Sequence, residues 1–243
     1  MSGQPRTYIA FLIILTVIIS AGSAIPAVNR APQPTASQIT PSSKQNYKHL
    51  VNAQSLNGYT GNIYNPSPHT TPEKNFTFGL HRFNVGVNYG IAPDWEGGMS
   101  LDLKGFTHWT STAVALHTKY HLLKQYAAGQ EYPQNYFDYS VGIRNTNLYF
   151  VFGKKFENFF DAVVESGVDV FMSEDKKFGY FLTLAKPTKY SYFLFDYKSY
   201  TGQINIGWRV LLSRDVKLDL FLIKIERIRN VFDNFVFGLT LAG

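Results

Sequence analysis

The chain has no cysteine. That excludes disulfides, thiolate-bound zinc and thiol catalysis. It also excludes a lipid-bearing N-terminal cysteine, so any membrane attachment must come from the fold. Tryptophan is scarce, with 3 residues in 243. The 23 Lys+Arg outnumber 17 Asp+Glu for a net charge of +6, yet no run of five or six basic residues occurs. A scattered positive balance reads as a solvated basic surface, and no nucleic-acid partner is expected. Beyond the first two dozen residues no apolar run approaches the ~20 residues a spanning helix needs. Phosphate-cradling glycine loops, nucleophile elbows and zinc motifs are missing too. The expectation is a protein with no cofactor, no metal and no enzymatic activity.

Aromatic residues are abundant instead, with 16 Tyr and 20 Phe. Both favour strands, and Tyr suits boundaries that are apolar on one side and wet on the other. The first 24 residues read as a signal peptide. Arg6 supplies the positive start, Tyr8 to Ile19 a short apolar core, and Ala21, Gly22, Ser23 and Ala24 a small-residue cleavage site. Residues 25–53 are rich in Pro, Ser, Thr, Gln and Asn and follow no period, so they read as a flexible linker. Within that linker, Tyr47 to Val51 have room for one helical turn.

Residues 54–243 are expected to form the barrel. From Asn75 onward, apolar and polar residues alternate in short runs. Trp95, Met99, Leu101 and Leu103 alternate with Glu96, Ser100 and Asp102; Val141 and Ile143 with Ser140 and Arg144; Leu218 and Leu220 with Lys217 and Asp219. Period two marks a strand with one apolar face. Turn residues separate the runs at Ala92-Pro93-Asp94, Asn145-Thr146-Asn147, Ser173-Glu174-Asp175 and Ser213-Arg214-Asp215. Two stretches fit less well. The phase changes near His81, as at a bulge or a break, and Phe156, Phe159, Phe160, Val163 and Val164 have the spacing of a short helical face. The expected fold is all-β, an antiparallel transmembrane β-barrel of about 10–12 strands.

Alternation alone does not say which face is out. Three features favour apolar faces toward lipid and polar faces toward a lumen. The leader exports the chain. Trp95, Tyr120, Tyr139, Tyr180 and Trp208 suit interfacial girdles. Glycine recurs on the polar face at 98, 142, 167, 179, 207 and 238, as a crowded interior demands. The predicted lumen-facing polar network is Glu96, Asp102, Lys104, His117, Lys119, Asp138, Arg144, Glu165, Asp169, Arg209, Lys217 and Asp219. Both signs are present, and buried charges must be paired or wetted. The lumen is therefore either filled by salt bridges or a small water-filled pore lined by them. His117 and His121 share the polar face with Lys119, but i and i+4 on a strand are ~13 Å apart, too far for one metal. Nothing in the spacing singles out a carboxylate pair for acid–base work. Asn75-Phe76-Thr77 matches a glycosylation acceptor, which carries little meaning in a bacterial export setting.

The segments SLNGYTGNIYNPS and FTFGLHRFNVGVNYGIAPDWEGGMSLDL, between Ser55 and Lys104, resemble the YjbH-like outer-membrane β-barrel family. The matching features are Gly58-Tyr59-Thr60-Gly61, Pro66-Ser67 and Glu96-Gly97-Gly98. Phe195-Asp196-Tyr197 and Asn205-Ile206-Gly207-Trp208-Arg209 resemble a later strand pair of that family. The resemblance implies an outer-membrane location and a structural or transport role in exopolysaccharide export. Outer-membrane lipid, polysaccharide and export-machinery proteins would be the partners. The chain departs from many outer-membrane barrels by ending Leu241-Ala242-Gly243 rather than on an aromatic residue. Two other functions fit the same pattern: a secreted soluble barrel binding a lipophilic ligand, and a membrane-embedded lipid-modifying enzyme with a nucleophile and histidine at its rim.

Overall fold

The computed structural model describes residues 53–104, 114–125, 135–172, 178–213, 215–228 and 230–243. Both the leader and the Tyr47–Val51 turn lie outside these residues, as does the Ser173-Glu174-Asp175 turn.

Twelve antiparallel strands close into a barrel, each paired with its sequence neighbours and the first with the last. They are β1 (Phe76–His81), β2 (Asn84–Ala92), β3 (Trp95–Asp102), β4 (Val114–Leu123), β5 (Asp138–Arg144) and β6 (Asn147–Phe156). There follow β7 (Ala162–Phe171), β8 (Phe178–Pro187), β9 (Ser191–Lys198), β10 (Gln203–Leu211), β11 (Val216–Leu222) and β12 (Phe235–Ala242). The seam between β1 and β12 runs in register from Thr77↔Ala242 to His81↔Gly238. Backbone bonds between Phe76 and Gly243 extend it. Closure leaves no strand edge without a partner. A 3₁₀ turn at Ile225–Arg227 and a four-residue α1 at Val231–Asn234 lie between β11 and β12.

Turn chemistry sets the register. Asn145 takes φ 52° in the β5–β6 turn and Asp94 takes φ 67° after Pro93 in the β2–β3 turn, a conformation these side chains tolerate. The phase change near His81 is a break, a full hairpin, and not a bulge. His81 pairs with Asn84 across Arg82 and Phe83, and Arg82 has φ 52°. Nor is there a helix before β7. β6 runs to Phe156, a turn with positive φ at Phe160 and Asp161 follows, and β7 starts at Ala162. The helical spacing of those phenylalanines comes from two strand ends and the turn between them.

The two faces of the wall differ sharply. Leu116 is 63% exposed and Phe237 56%, whereas Glu96, Asp196 and Asp219 are 0% exposed. Leu101, Val141 and Leu182 sit half-buried on the outward face, in phase with exposed Met99, Ile143 and Leu184 of their own strands. Leu218 is in phase with Leu220, which pairs with exposed Phe237. The polar side chains therefore point inward. The inward glycines meet large neighbours, Gly142 against the Tyr149 ring and Gly167 against the Phe181 ring. That is the crowding their recurrence predicts.

Residues 53–75 do not belong to the wall. They precede β1, and residues 53–71 lie inside the barrel, where Ala53, Gln54, Thr60, Ile63 and Asn65 are fully buried. Two isolated bridges, Gln54↔Thr60 and Gly61↔Pro66, fold the segment on itself. We call it the plug. It leaves along β2, where the Lys74 amide donates to the Gly90 carbonyl at 2.8 Å. Glycine is required there, since a Cβ at Gly90 would overlap the Pro72 carbonyl.

Candidate functional site

The lumen is a set of buried charges whose partners come largely from the plug backbone. Burying a charge is tolerated only when it is paired and hydrogen-bonded. On β3 and β4, Glu96 and Lys119 pair at 3.1 Å with both side chains fully buried. Glu96 also accepts from the Thr60 hydroxyl (2.6 Å), the Thr60 amide (3.2 Å) and the Thr71 amide (2.7 Å). Lys119 Nζ donates to the carbonyls of Thr60 (2.8 Å) and Ser67 (3.1 Å). The pair thus grips the plug at three residues, Thr60, Ser67 and Thr71.

A second grip lies across the barrel on β10 and β11. Arg209 Nε donates to Asp219 Oδ1 at 2.6 Å, and His81 Nε2 lies 2.7 Å from Asp219 Oδ2. The rest of the guanidinium fork reaches the plug. Nη1 donates to Gly61 O at 2.8 Å, and Nη2 to Gln54 O at 2.8 Å and Asn62 O at 3.2 Å. A planar fork with five donors serves one carboxylate and several carbonyls at once.

Asp196 on β9 makes the third grip. Its Oδ2 accepts from three consecutive plug amides, Ile63 (3.0 Å), Tyr64 (2.8 Å) and Asn65 (3.1 Å), and Oδ1 accepts from the Thr183 hydroxyl at 2.8 Å. Successive backbone N–H groups converging on one carboxylate form an anion-binding nest. An apolar patch completes the fit. Leu56 and Ile63 of the plug pack with Val163, Ala185, Tyr192, Leu194, Phe221 and Val236 of the wall.

All the predicted network residues but Lys104 lie on the inward face, buried, or half-buried in the case of Arg144 and Asp102. The structure joins Glu96 to Lys119 and Arg209 to Asp219. Glu165 is instead held by the plug's Asn62, Asp169 by Lys198 at 3.8 Å, and His117 by Asn88. Asp138 meets His121, and Lys217 is buried on the inner face of β11. Asp102 ends β3 and accepts from the Lys104 amide at 3.0 Å. Lys104 departs from the expectation. It follows the end of β3, stands exposed, and lies 4.4 Å from the Phe83 ring centroid, because the strand stops before its alternation reaches position 104.

Three functional groups escape a reading of the sequence. Asp196 is visible there only as part of a strand-end motif, since β9 opens Ser-Tyr-Phe-Leu-Phe with no alternation. The plug carries no period at all. The third is a cluster of His69, His121 and Asp138, whose ligand atoms all lie within 4.8 Å of one another. His69 sits on the plug, where burial pushes its imidazole down to about 4, leaving it neutral at ordinary pH.

Fold and lumen together define a closed, twelve-stranded β-barrel plugged by its own preceding segment. No protein-family model matches the chain, and no curated protein matches it in sequence.

Proposed function

We propose that this chain is an outer-membrane β-barrel with a structural or accessory, non-catalytic role in the cell envelope. One observation carries the reading: the wall is apolar outside and charged inside, the reverse of a soluble barrel. A water-facing surface bearing Leu80, Val87, Met99, Leu116 and Phe237 on five neighbouring strands is rare in a monomeric soluble protein. Trp95, Tyr120 and Tyr139 collect near one rim and Tyr180 near the other, as headgroup-level aromatics would. The longest strands, at 10 residues, match a tilted crossing of the hydrocarbon layer.

The exopolysaccharide role follows from the YjbH-like resemblance. A lumen occupied by residues 53–71 supports a scaffold or accessory part in that export rather than a conduit for the polymer. The lipophilic-ligand barrel is disfavoured because its interior would have to be apolar and vacant, whereas this one is charged and occupied.

Cell fractionation tests the location. A band that needs detergent for extraction and shifts in mobility on heating is the expected result, and release into buffer overturns the reading. Loss of surface polysaccharide on deleting the gene is the expected result for the role, and an unchanged polysaccharide yield removes it.

A further inference from the structure

His69 is fixed on the plug between two ties to the wall. The Pro68 carbonyl accepts from the Ser140 hydroxyl, and the Thr71 amide donates to Glu96 at 2.7 Å. Its ring meets the His121 ring of β4 edge-on, with centroids 5.7 Å apart and planes at 88°. His121 Nε2 lies 3.0 Å from Asp138 Oδ1 on β5. Two imidazoles and a carboxylate, brought together from the plug and two strands, present one ligand atom each within 4.8 Å. A histidine–aspartate hydrogen bond alone has no use for a second imidazole delivered by a separate segment. A borderline-soft divalent ion does, because His and Asp are its usual donors.

The distances suit such an ion. Ligands ~2.0–2.1 Å from tetrahedral zinc stand ~3.3–3.4 Å from one another. The His121–Asp138 pair is already close to that spacing at 3.0 Å. The remaining span, up to 4.8 Å, closes if metal binding draws the His69 ring toward the pair. Asp138 is held in place, its Oδ1, the oxygen facing His121, also accepting from the Gln125 amide at 3.0 Å. Gln125 is in turn fixed to the Lys155 backbone at 2.9 and 3.2 Å, the outer support that metal-ligating carboxylates require. The cations around the cluster are each engaged by a carboxylate: Lys119 by Glu96, Lys124 by Asp94 and Lys155 by Asp161.

We propose that His69, His121 and Asp138 form a binding site for a zinc-class divalent metal that ties the plug to the wall. Water completes the fourth position. The site does not depend on the barrel's being in a membrane.

The test uses the full chain without a polyhistidine tag, folded in detergent and stripped by chelator. Zinc is titrated by calorimetry, and cobalt is followed by the visible absorption of a four-coordinate ion. One equivalent of each is expected to bind. His69→Gln and His121→Ala are each expected to weaken binding by at least ~10–100-fold, the loss that even outer partners of a metal site produce. His117→Ala, on a histidine engaged by Asn88 elsewhere in the lumen, keeps full binding. Heat-dependent mobility verifies that each variant is folded, and His69→Gln changes only the plug. Binding below one equivalent in the parent overturns the proposal. So does a folded His69→Gln protein that binds zinc as tightly as the parent.

Discussion

Replacing Arg209 by Met removes the guanidinium bonded to Asp219 and withdraws the donors of three plug carbonyls, Gln54, Gly61 and Asn62. Removing one member of a buried ion pair costs ~3–5 kcal/mol, because the other charge remains desolvated. That cost applies only while the plug excludes water. When the plug leaves, the lumen floods and Asp219 is hydrated. Nearly all of the penalty therefore acts on the plug-in/plug-out equilibrium and leaves barrel folding largely untouched. At ~1.4 kcal/mol per factor of ten, the plug-out population rises about a hundred- to several-thousand-fold. The absence of native cysteine makes this measurable with a single introduced thiol. Ser67 is 2% exposed, and its hydroxyl has no hydrogen-bond partner among the described residues, so Ser67→Cys is a mild reporter. With chelator present, a water-soluble thiol reagent should label the Ser67→Cys protein faster in the Arg209→Met background than in the parent by that factor. Arg209→Lys, which keeps the charge but loses the fork, should fall between. Labelling within about threefold of the parent, in protein whose heat-dependent mobility shows an intact barrel, refutes the claim that Arg209 holds the plug.

Asp196→Asn keeps the shape but replaces a charged acceptor of three amides with a neutral one. We expect ~1–3 kcal/mol of destabilisation, read as faster labelling of the same introduced thiol and a lower temperature of the mobility shift. Leu182→Arg on the outward face at mid-strand separates lipid from water. In lipid it costs ~2–4 kcal/mol, and on a wetted surface within ~0.5 kcal/mol, as folding titrations in liposomes will measure. Gly142→Val drives a side chain into the Tyr149 ring, and overpacking of that kind costs ~1–3 kcal/mol in a chemical unfolding experiment.

The wall is legible because each side chain in a strand votes for one of two faces. Runs such as Val164-Glu165-Ser166-Gly167-Val168-Asp169 state both the strand and its inner face, and the upper strand count of the expected range is the one observed. β9 does not read as an alternating strand. Its inward residues Tyr192 and Leu194 are apolar because they face Leu56 and Ile63 of the plug, so the vote is silent where the interior is greasy. The same cause hides Phe221 and Val236 within otherwise regular strands. The plug itself is illegible for a different reason. Its order comes from Glu96, Lys119, Asp196 and Arg209, which lie 25 to 155 residues away in sequence, and from no local period. Boundaries suffer accordingly: positions 54–71 look like an approach to the barrel and are its filling. The charged positions read as a network among themselves, yet their main partners are backbone amides and carbonyls, which every sequence carries and none advertises.

The grips on the enclosed segment are spaced along it in order: Gln54, then Thr60, then Gly61 and Asn62, then 63–65, then Ser67, then Thr71. A tug applied upstream of residue 53 loads these fastenings one after another, like peeling tape, so the peak force is that of a single grip. Pushing the segment out as a body would have to break all of them together. Salt offers no shortcut, since fastenings sealed this far from solvent are poorly screened. Traction from one side is the least demanding way to draw the segment out of this lumen.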